Sequence, residues 1–126
     1  MKQWLYIFLV TSTAISFCFK NDTEQIIAAL TNKNLEEVIQ YFNEHIDLKL
    51  PANDELKNIE KLQAANAFKN FFQKNKINIV EVTHQRQVGN AHYITGKLIS
   101  NNINFGFTII TQQQLGKEQI SSIRIN

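Results

Sequence analysis

The chain has 126 residues, of which 44% are hydrophobic, and it contains nine phenylalanines and a single cysteine. This length fits one domain, and the apolar and aromatic content is typical of a packed globule rather than a disordered chain. The formal net charge is only +2. Because nucleic-acid-binding proteins need an excess of Lys and Arg to neutralise phosphates, this balance argues against a nucleic-acid partner.

Residues 1–20, "MKQWLYIFLVTSTAISFCFK", have the order of an export signal: a basic residue, an apolar run and then small residues. Ala14 and Ser16 form a small-x-small pattern, so cleavage is expected near residues 16–20, with Ser16 favoured. An uncleaved anchor is the alternative, but polar residues interrupt the run, which is shorter than the roughly 20 apolar residues of a spanning helix. We therefore expect an exported protein, periplasmic or extracellular, with one folded domain at residues 21–126.

Cys18 is the only cysteine, so an internal disulfide cannot form. It could instead carry a lipid, which would be the protein's only route to the membrane. A lipoprotein signal needs a small residue immediately before the modified cysteine, and Phe17 occupies that position. Lipidation is therefore the less favoured interpretation.

Two amphipathic helices are predicted after the signal. In "NDTEQIIAALTN" and "NLEEVIQYFNEH" an Asn stands three residues before a Glu, which is capping-box spacing, and apolar residues recur at helical intervals. His45 stands at the end of the second predicted helix. There it is expected to interact with the helix C-terminal dipole rather than to act as a base.

A short strand and a long helix follow. "IDLKLP" alternates apolar and polar residues before a proline, which predicts a half-buried strand. "ANDELKN" predicts a loop. "IEKLQAANAFKNFFQKN" is the longest predicted helix, with Leu62, Ala65, Phe68 and Phe72 toward one side.

The rest of the chain predicts four strands separated by "VGN", "NN" and "QQLGK", turn signals that join antiparallel neighbours. A two-residue "NN" turn sets Gly96 against Phe107, and continuing the ladder sets Phe107 against Ile123. A three-residue "VGN" loop sets Val82 against Gly96, whereas a two-residue "GN" loop sets Val82 against Lys97 and mixes charge with hydrocarbon. We therefore expect the three-residue loop and one apolar sheet face covered by helices.

This register places polar residues at one end of the helix-facing surface. Arg86 lies opposite His92, and His84 lies two residues along the same strand. If that end is an open cleft, Arg86 could pair with a ligand carboxylate and a neutral histidine could share a hydrogen bond with the ligand. The simpler alternative is that the strands extend beyond the helices and these side chains are solvated. The candidate ligand-binding residues are His84, Arg86, His92, Thr111 and Gln119.

Sequence motifs for other chemistry are missing. The histidines show neither HExxH nor His-x-His spacing, and the sequence contains no GxSxG and no glycine-rich phosphate loop. We therefore assign no catalytic residue, no metal site and no cofactor.

From Asn21 onward the chain resembles the nuclear-transport-factor-two-like superfamily, and more closely an uncharacterised family of small exported bacterial proteins within it. The segments that carry the resemblance are "LEEVIQYFNEHIDLKLP", "AFKNFFQKN", "AHYITGKL" and "ISSIRIN". The resemblance implies an α+β fold: N-terminal helices packed on a curved, cone-shaped antiparallel four-stranded meander of the cystatin-like type, with a short extra strand. Members of the superfamily include isomerases, dehydratases and binding or assembly modules.

The acid–base set of the steroid-isomerase-like members does not carry over. No Asp lies on the four predicted strands, and Glu81 and Tyr93 are predicted to face away from the helices. We therefore expect an exported binding or interaction module for a small apolar or acidic ligand or a protein partner. A small lyase or isomerase that uses the open end of the cone is the alternative.

The interior of the cone is expected to be either filled by phenylalanines or hollow enough for a ligand. Apolar residues on the outer sheet face suggest a possible homodimer. The phenylalanines are Phe68, Phe72, Phe105 and Phe107, and the outer apolar residues are Ile79, Ile99 and Ile110.

Overall fold

The computed structural model describes residues 21–101 and 103–126, so the predicted export signal and Cys18 lie outside the described residues. The helices pack against one face of a β-sheet, so the fold is of the α+β class. No helix in these two ranges is long and apolar enough to cross a membrane. The elements in chain order are α1 (Asp22–Thr31), α2 (Leu35–Gln40), β1 (Phe42–Lys49), β2 (Leu56–Glu60), α3 (Lys61–Lys74), β3 (Ile79–Val88), β4 (Ala91–Ile99), β5 (Asn104–Gln114) and β6 (Lys117–Ile125).

The sheet has six strands in the order β2-β1-β6-β5-β4-β3, and it is mixed because β1 runs parallel to β6. The C-terminal strands β3 to β6 follow one another as antiparallel neighbours. The prediction of a four-stranded meander with one short extra strand is therefore wrong in its strand count. Two further strands, β1 and β2, extend the sheet on the β6 side.

The second predicted helix is shorter than expected, because α2 ends at Gln40 and Phe42 already belongs to β1. Phe42 pairs with Ile120, whose backbone N–H donates to the Tyr41 carbonyl at 2.6 Å. Phe42 fits the helical spacing of apolar residues, but its side chain is buried on the strand instead, because pairing with β6 overrides the local helical preference. His45 therefore lies on a strand, opposite Glu60, and not at a helix terminus.

Both predicted helix starts are confirmed. The Asn21 side chain accepts the Glu24 backbone N–H at 2.8 Å, and the Asn34 side chain accepts that of Glu37 at 3.3 Å. Each asparagine thus satisfies a backbone donor that the first helical turn leaves unpaired.

The helix-covered side of the sheet, called the inner face here, carries a core that is rich in phenylalanine. Phe42, Phe68 and Phe72 are buried, and the Phe68 and Phe72 rings are 4.9 Å apart between centroids. Phe107 is also buried, whereas Phe105 is only partly buried. Leu62 was expected to join this side but is 72% exposed, because the buried face of α3 is centred on Ala64, Phe68 and Phe71 and Leu62 lies off that face.

Gly96 allows the sheet and its core to pack closely. A Cβ at this position would lie 2.0 Å from the Glu81 carbonyl oxygen and 2.8 Å from two carbons of the Phe107 ring. The Val82–Gly96 and Gly96–Phe107 pairs are both as predicted. The missing side chain therefore makes room for an aromatic ring of the neighbouring strand.

Candidate functional site

The β3–β4 hairpin differs from the prediction in two features that offset one another. Its turn has only two residues, Gly89 and Asn90, and the register shifts by one residue between Val82 and His84. Such a shift is a β-bulge, an extra residue on one strand. From Val80 to Val82, on the side of the bulge away from the turn, the pairs match the prediction. A two-residue turn plus one extra residue on β3 gives the same register there as a three-residue loop.

Between the bulge and the turn, the predicted register is wrong. Arg86 lies opposite Tyr93, and His92 lies opposite Gln87. A shift of one residue moves every side chain of the segment to the other face of the sheet. His84 and Arg86 therefore lie on the outer face, which the helices do not cover, while His92 remains on the inner face.

The β5–β6 hairpin has a two-residue turn and its own register shift between Ile110 and Thr111. Thr111 pairs with Ile120 and is fully buried on the inner face, whereas Gln119 pairs with Gln112 on the outer face. The predicted pair of Phe107 with Ile123 is wrong, since Ile109 takes that position and Phe107 pairs with Ile125. The five candidate residues are thus divided between two faces of the sheet.

The outer face carries an open concavity of about 610 Å³, called the outer patch here. The side chain of Arg86 forms no hydrogen bond or ion pair with any described residue, and His84 has a neighbouring threonine hydroxyl at 3.3 Å from Nδ1. The side chain of Tyr93 lies opposite Arg86 in the register. The residues that line the outer patch are His84, Gln85, Arg86, Val88, Tyr93 and Thr95.

The inner face carries a polar pocket of about 330 Å³ beside the start of α1. Its central group is the Glu118 carboxylate, which accepts hydrogen bonds from the hydroxyls of Thr23 and, at 3.4 Å, of Thr111. His92 Nδ1 lies 3.6 Å from the other carboxylate oxygen. The lining residues are Asn21, Asp22, Thr23, Gln87, His92, Gln113, Gly116 and Glu118.

Glu118 also joins the first turn of α1 through its backbone, because its N–H donates to the Asp22 carboxylate at 3.1 Å. The side chains of His92 and Glu118 are only 19% and 13% exposed. Acceptor capacity of the carboxylate is thus used within the protein, and the arrangement fixes α1 to the β5–β6 hairpin. Among the described residues, no group of three or more His, Cys, Asp and Glu side chains is arranged to hold a metal ion.

Tyr41 is a second polar group on this side of the molecule. Its hydroxyl donates to the Gln25 side-chain oxygen at 2.5 Å. Burial raises the pKa of the Tyr41 phenol above its ordinary value of 10.0, and the nearby carboxylates of Asp22 and Glu37 raise it further. The phenol therefore stays neutral and acts as a hydrogen-bond donor over the physiological pH range.

A larger open groove of about 660 Å³ lies between the C-terminal half of α3, the turn after β1 and the start of β5. We call it the α3 groove. Its floor includes Phe71 and Phe105, whose rings meet edge to face at 5.1 Å between centroids. The lining residues are Leu50, Pro51, Asn53, Ala67, Asn70, Phe71, Gln73, Lys74, Asn75 and Phe105.

Sequence reasoning missed both the Glu118 cluster and the α3 groove. The segment before Glu118 was interpreted as a loop, so the acidic residue was not assigned to the inner face. A two-residue turn at Leu115 and Gly116 would have placed it there. No sequence pattern indicated the α3 groove. Its two aromatic residues, Phe71 and Phe105, are far apart in the sequence, and only the tertiary structure brings them together.

Comparisons with known proteins support the fold and identify the family. A crystal structure of a DUF4783 family protein from Bacteroides uniformis is 26% identical, with a TM-score of 0.74, and the match covers 84% of this chain and 96% of that one. The corresponding values for a Bacteroides ovatus DUF4783 family protein are 26%, 0.72, 79% and 89%. A comparison with functionally curated proteins gives no match.

A more distant structure resembles the chain in fold alone. It is an NTF2-like protein of unknown function from Cytophaga hutchinsonii, 15% identical with a TM-score of 0.57, and the match covers 87% of this chain and 93% of that one. This similarity agrees with the predicted nuclear-transport-factor-two-like fold. Because residues 23–126 match the family described as "Domain of unknown function (DUF4783)", the chain belongs to that family.

Proposed function

We propose that the protein is an exported binding module and that its α3 groove holds a small amphiphilic ligand with a negatively charged end. Export is supported by the signal-like order of residues 1–20. The observation that carries the binding proposal is the combination, in one groove, of an aromatic floor and a single charged side chain, Lys74.

The floor of the α3 groove suits an apolar chain or ring. Phe71 and Phe105 form it through edge-to-face contact of their rings, and Ala67, Leu50 and Pro51 add further apolar lining. Small-molecule sites are commonly concave and lined mainly by apolar and aromatic side chains, with a few polar groups that orient the ligand. Covering this floor would remove apolar surface from water, which favours binding.

The positive charge in the groove favours a ligand whose polar end is negatively charged. Lys74 is the only charged residue among those that line the groove, and its ammonium group has no hydrogen bond or ion pair within the part of the chain that the structure describes. The remaining polar lining consists of asparagine and glutamine amides. A carboxylate near Lys74 would gain a charge-assisted hydrogen bond without displacing an existing partner.

The turn that forms one wall of the groove is held in place without a ligand. The Leu50 carbonyl oxygen accepts hydrogen bonds from the Lys49 ammonium at 2.8 Å and from the Asn53 backbone N–H at 3.2 Å. At the end of α3, the Asn75 side-chain amide donates to the Phe71 carbonyl at 2.9 Å. A preformed wall lowers the ordering cost of binding.

A small lyase or isomerase remains the second candidate, and the proximity of His92 to Glu118 is the observation that favours it. These two groups could serve as a general acid and base. We rank this function second because Glu118 is hydrogen-bonded to two threonine hydroxyls and to α1 through its backbone. Both hydroxyls donate to Oε2, so this oxygen is already used as an acceptor within the protein, and only Oε1, beside His92, is left to take a substrate proton.

The binding proposal can be tested by calorimetric titration of the purified protein with dodecanoate and with the uncharged alcohol of the same chain length. We expect saturable binding of dodecanoate. Lys74→Gln should weaken dodecanoate binding by about 1 kcal/mol, or roughly fivefold, and leave binding of the alcohol nearly unchanged. Ala67→Trp should weaken both, because the indole would occupy the groove.

Lys117→Gln is the matched control, because Lys117 is exposed on the β5–β6 hairpin and does not line the α3 groove. It should bind both ligands as the parent protein does. Absence of saturable dodecanoate binding would refute the proposal. Binding that is equally strong in Ala67→Trp would show that the ligand occupies another site.

A further inference from the structure

Strand β3 is at the edge of the sheet, and no other strand in residues 21–101 and 103–126 pairs with the free side of its backbone. It is ten residues long, and the residues from Thr83 to Val88 are all exposed. Its two ends carry large apolar side chains in water, since Ile79 is 54% and Val88 50% exposed. Exposed edge strands of this length can template pairing with another chain unless something covers or blunts them.

We propose that two copies of the protein pair through β3 in antiparallel orientation, so that the two sheets become one. This proposal is independent of ligand binding in the α3 groove. The occupant of the free edge is a second copy because β3 is complementary to itself, in charge and in apolar side chains, when the two strands overlap over their whole length.

The full overlap places a two-fold axis between Thr83 and His84. In that register Glu81 of each copy lies opposite Arg86 of the partner subunit, and Ile79 lies opposite Val88 of the partner subunit. By symmetry each of these pairs occurs twice. Opposite charges and paired apolar side chains directly across antiparallel strands both stabilise a sheet.

The bulge in β3 is what makes this register possible. In a regular strand, Glu81 and Arg86 would point to opposite faces because their separation is an odd number of residues. The extra residue between Val82 and His84 reverses the faces of the distal segment. As a result Glu81 and Arg86 both lie on the outer face, as do Ile79 and Val88. The two copies carry the same extra residue, and the two bulges lie opposite each other at the two-fold axis. The two β3 strands can therefore pair in one continuous register.

The charged groups are available for this contact. Neither Glu81 nor Arg86 forms a hydrogen bond through its side chain or an ion pair with another residue in the described ranges. The nearest residue in the register to Glu81 is Lys97 on β4, and to Arg86 it is Tyr93. Pairing of two copies would thus place the Glu81 carboxylate of each copy beside the Arg86 guanidinium of the other.

The contact buries one strand edge rather than a broad face. We therefore expect a reversible dimer with a dissociation constant on the order of micromolar, as is usual for small interfaces. Added salt should weaken it, because the two Glu81–Arg86 contacts lie near the surface and are screened by ions.

Charge reversal provides a direct test by sedimentation velocity over a range of protein concentrations. Glu81→Arg and Arg86→Glu should each raise the dissociation constant about tenfold or more, because either change places two like-charge pairs in the interface. An equimolar mixture of the two variants should recover the affinity of the parent protein, because the mixed dimer restores opposite charges at both contacts.

Lys117→Glu serves as a control for a change of net charge away from β3, and it should not alter the dissociation constant. Far-ultraviolet circular dichroism would verify that each variant is folded before it is mixed. A protein that stays monomeric at several hundred times the expected dissociation constant would overturn the proposal. So would a dimer that both single variants leave unchanged, since that result would point to the outer sheet face instead.

Discussion

Replacing Glu118 with alanine should lower the free energy of unfolding by about 3–4 kcal/mol. The Glu118 carboxylate accepts hydrogen bonds from Thr23 and Thr111, and both threonines are buried. Hydrogen bonds to a charged group contribute about 1.5–3 kcal/mol each, and a buried hydroxyl without a partner is costly. We take the lower part of the combined range because the Glu118 side chain keeps 13% exposure, so water can partly replace it.

The conservative change Glu118→Gln should cost only about 1 kcal/mol, since neutral acceptors are weaker than charged ones. Both hydroxyls donate to the same oxygen, Oε2, while His92 approaches the other one. A carboxamide can therefore keep both hydroxyl bonds. Urea unfolding followed by circular dichroism would measure both losses. Glu44→Ala, at an exposed position on β1, is the control and should change stability by less than about 0.5 kcal/mol.

Two results would refute this account of Glu118. If Glu118→Gln costs as much as Glu118→Ala, the negative charge rather than the hydrogen-bond acceptor stabilises the cluster. If the Thr23→Val and Glu118→Ala losses add fully in the double variant, the two residues are not coupled, because contacting residues normally show non-additive effects.

Two further predictions concern stability. Leu115→Asn should stabilise the protein by about 0.5–1 kcal/mol, because Leu115 has a φ of 53° in an exposed two-residue turn before Gly116, where Asn-Gly is preferred; a lower urea midpoint in the variant would contradict this. The raised pKa of Tyr41 means that its stabilising effect is complete below its unfolded pKa of about 10 and is lost as the pH rises through the folded value. The free energy of unfolding should therefore fall above about pH 10, and less so in Tyr41→Phe; equal alkaline slopes for the two proteins would refute the assignment.

The sequence predicts those parts of the fold that depend on local signals. Asn21 and Asn34 were identified as helix starts because a capping asparagine acts within one turn. The alignment of Gly96 with Phe107 followed from matching apolar residues across a short turn. In both cases the atoms that decide the structure lie close together in the sequence, so periodicity and spacing were sufficient.

The candidate site was harder to predict because its geometry depends on bulges. A bulge at Val82–His84 changes the face of Arg86 without altering the apolar pairs below it, so hydrophobic matching could not detect the bulge. A turn was predicted within "QQLGK", but its two-residue length was not. Leucine rarely adopts a positive φ, so Leu115 was not recognised as the first of two turn residues.

The position of β6 in the sheet affects the order in which the fold can be completed. Among the described strands, β6 comes last in the sequence, yet it lies between β1 and β5 and connects the β1–β2 pair to the other strands. Its parallel pairing with β1 joins residues that are 75 to 78 positions apart in the sequence, and contacts of such long range form slowly. The β1–β2 pair can form on its own, but it joins the rest of the sheet only through β6, so we expect the six-stranded sheet to be completed late in folding.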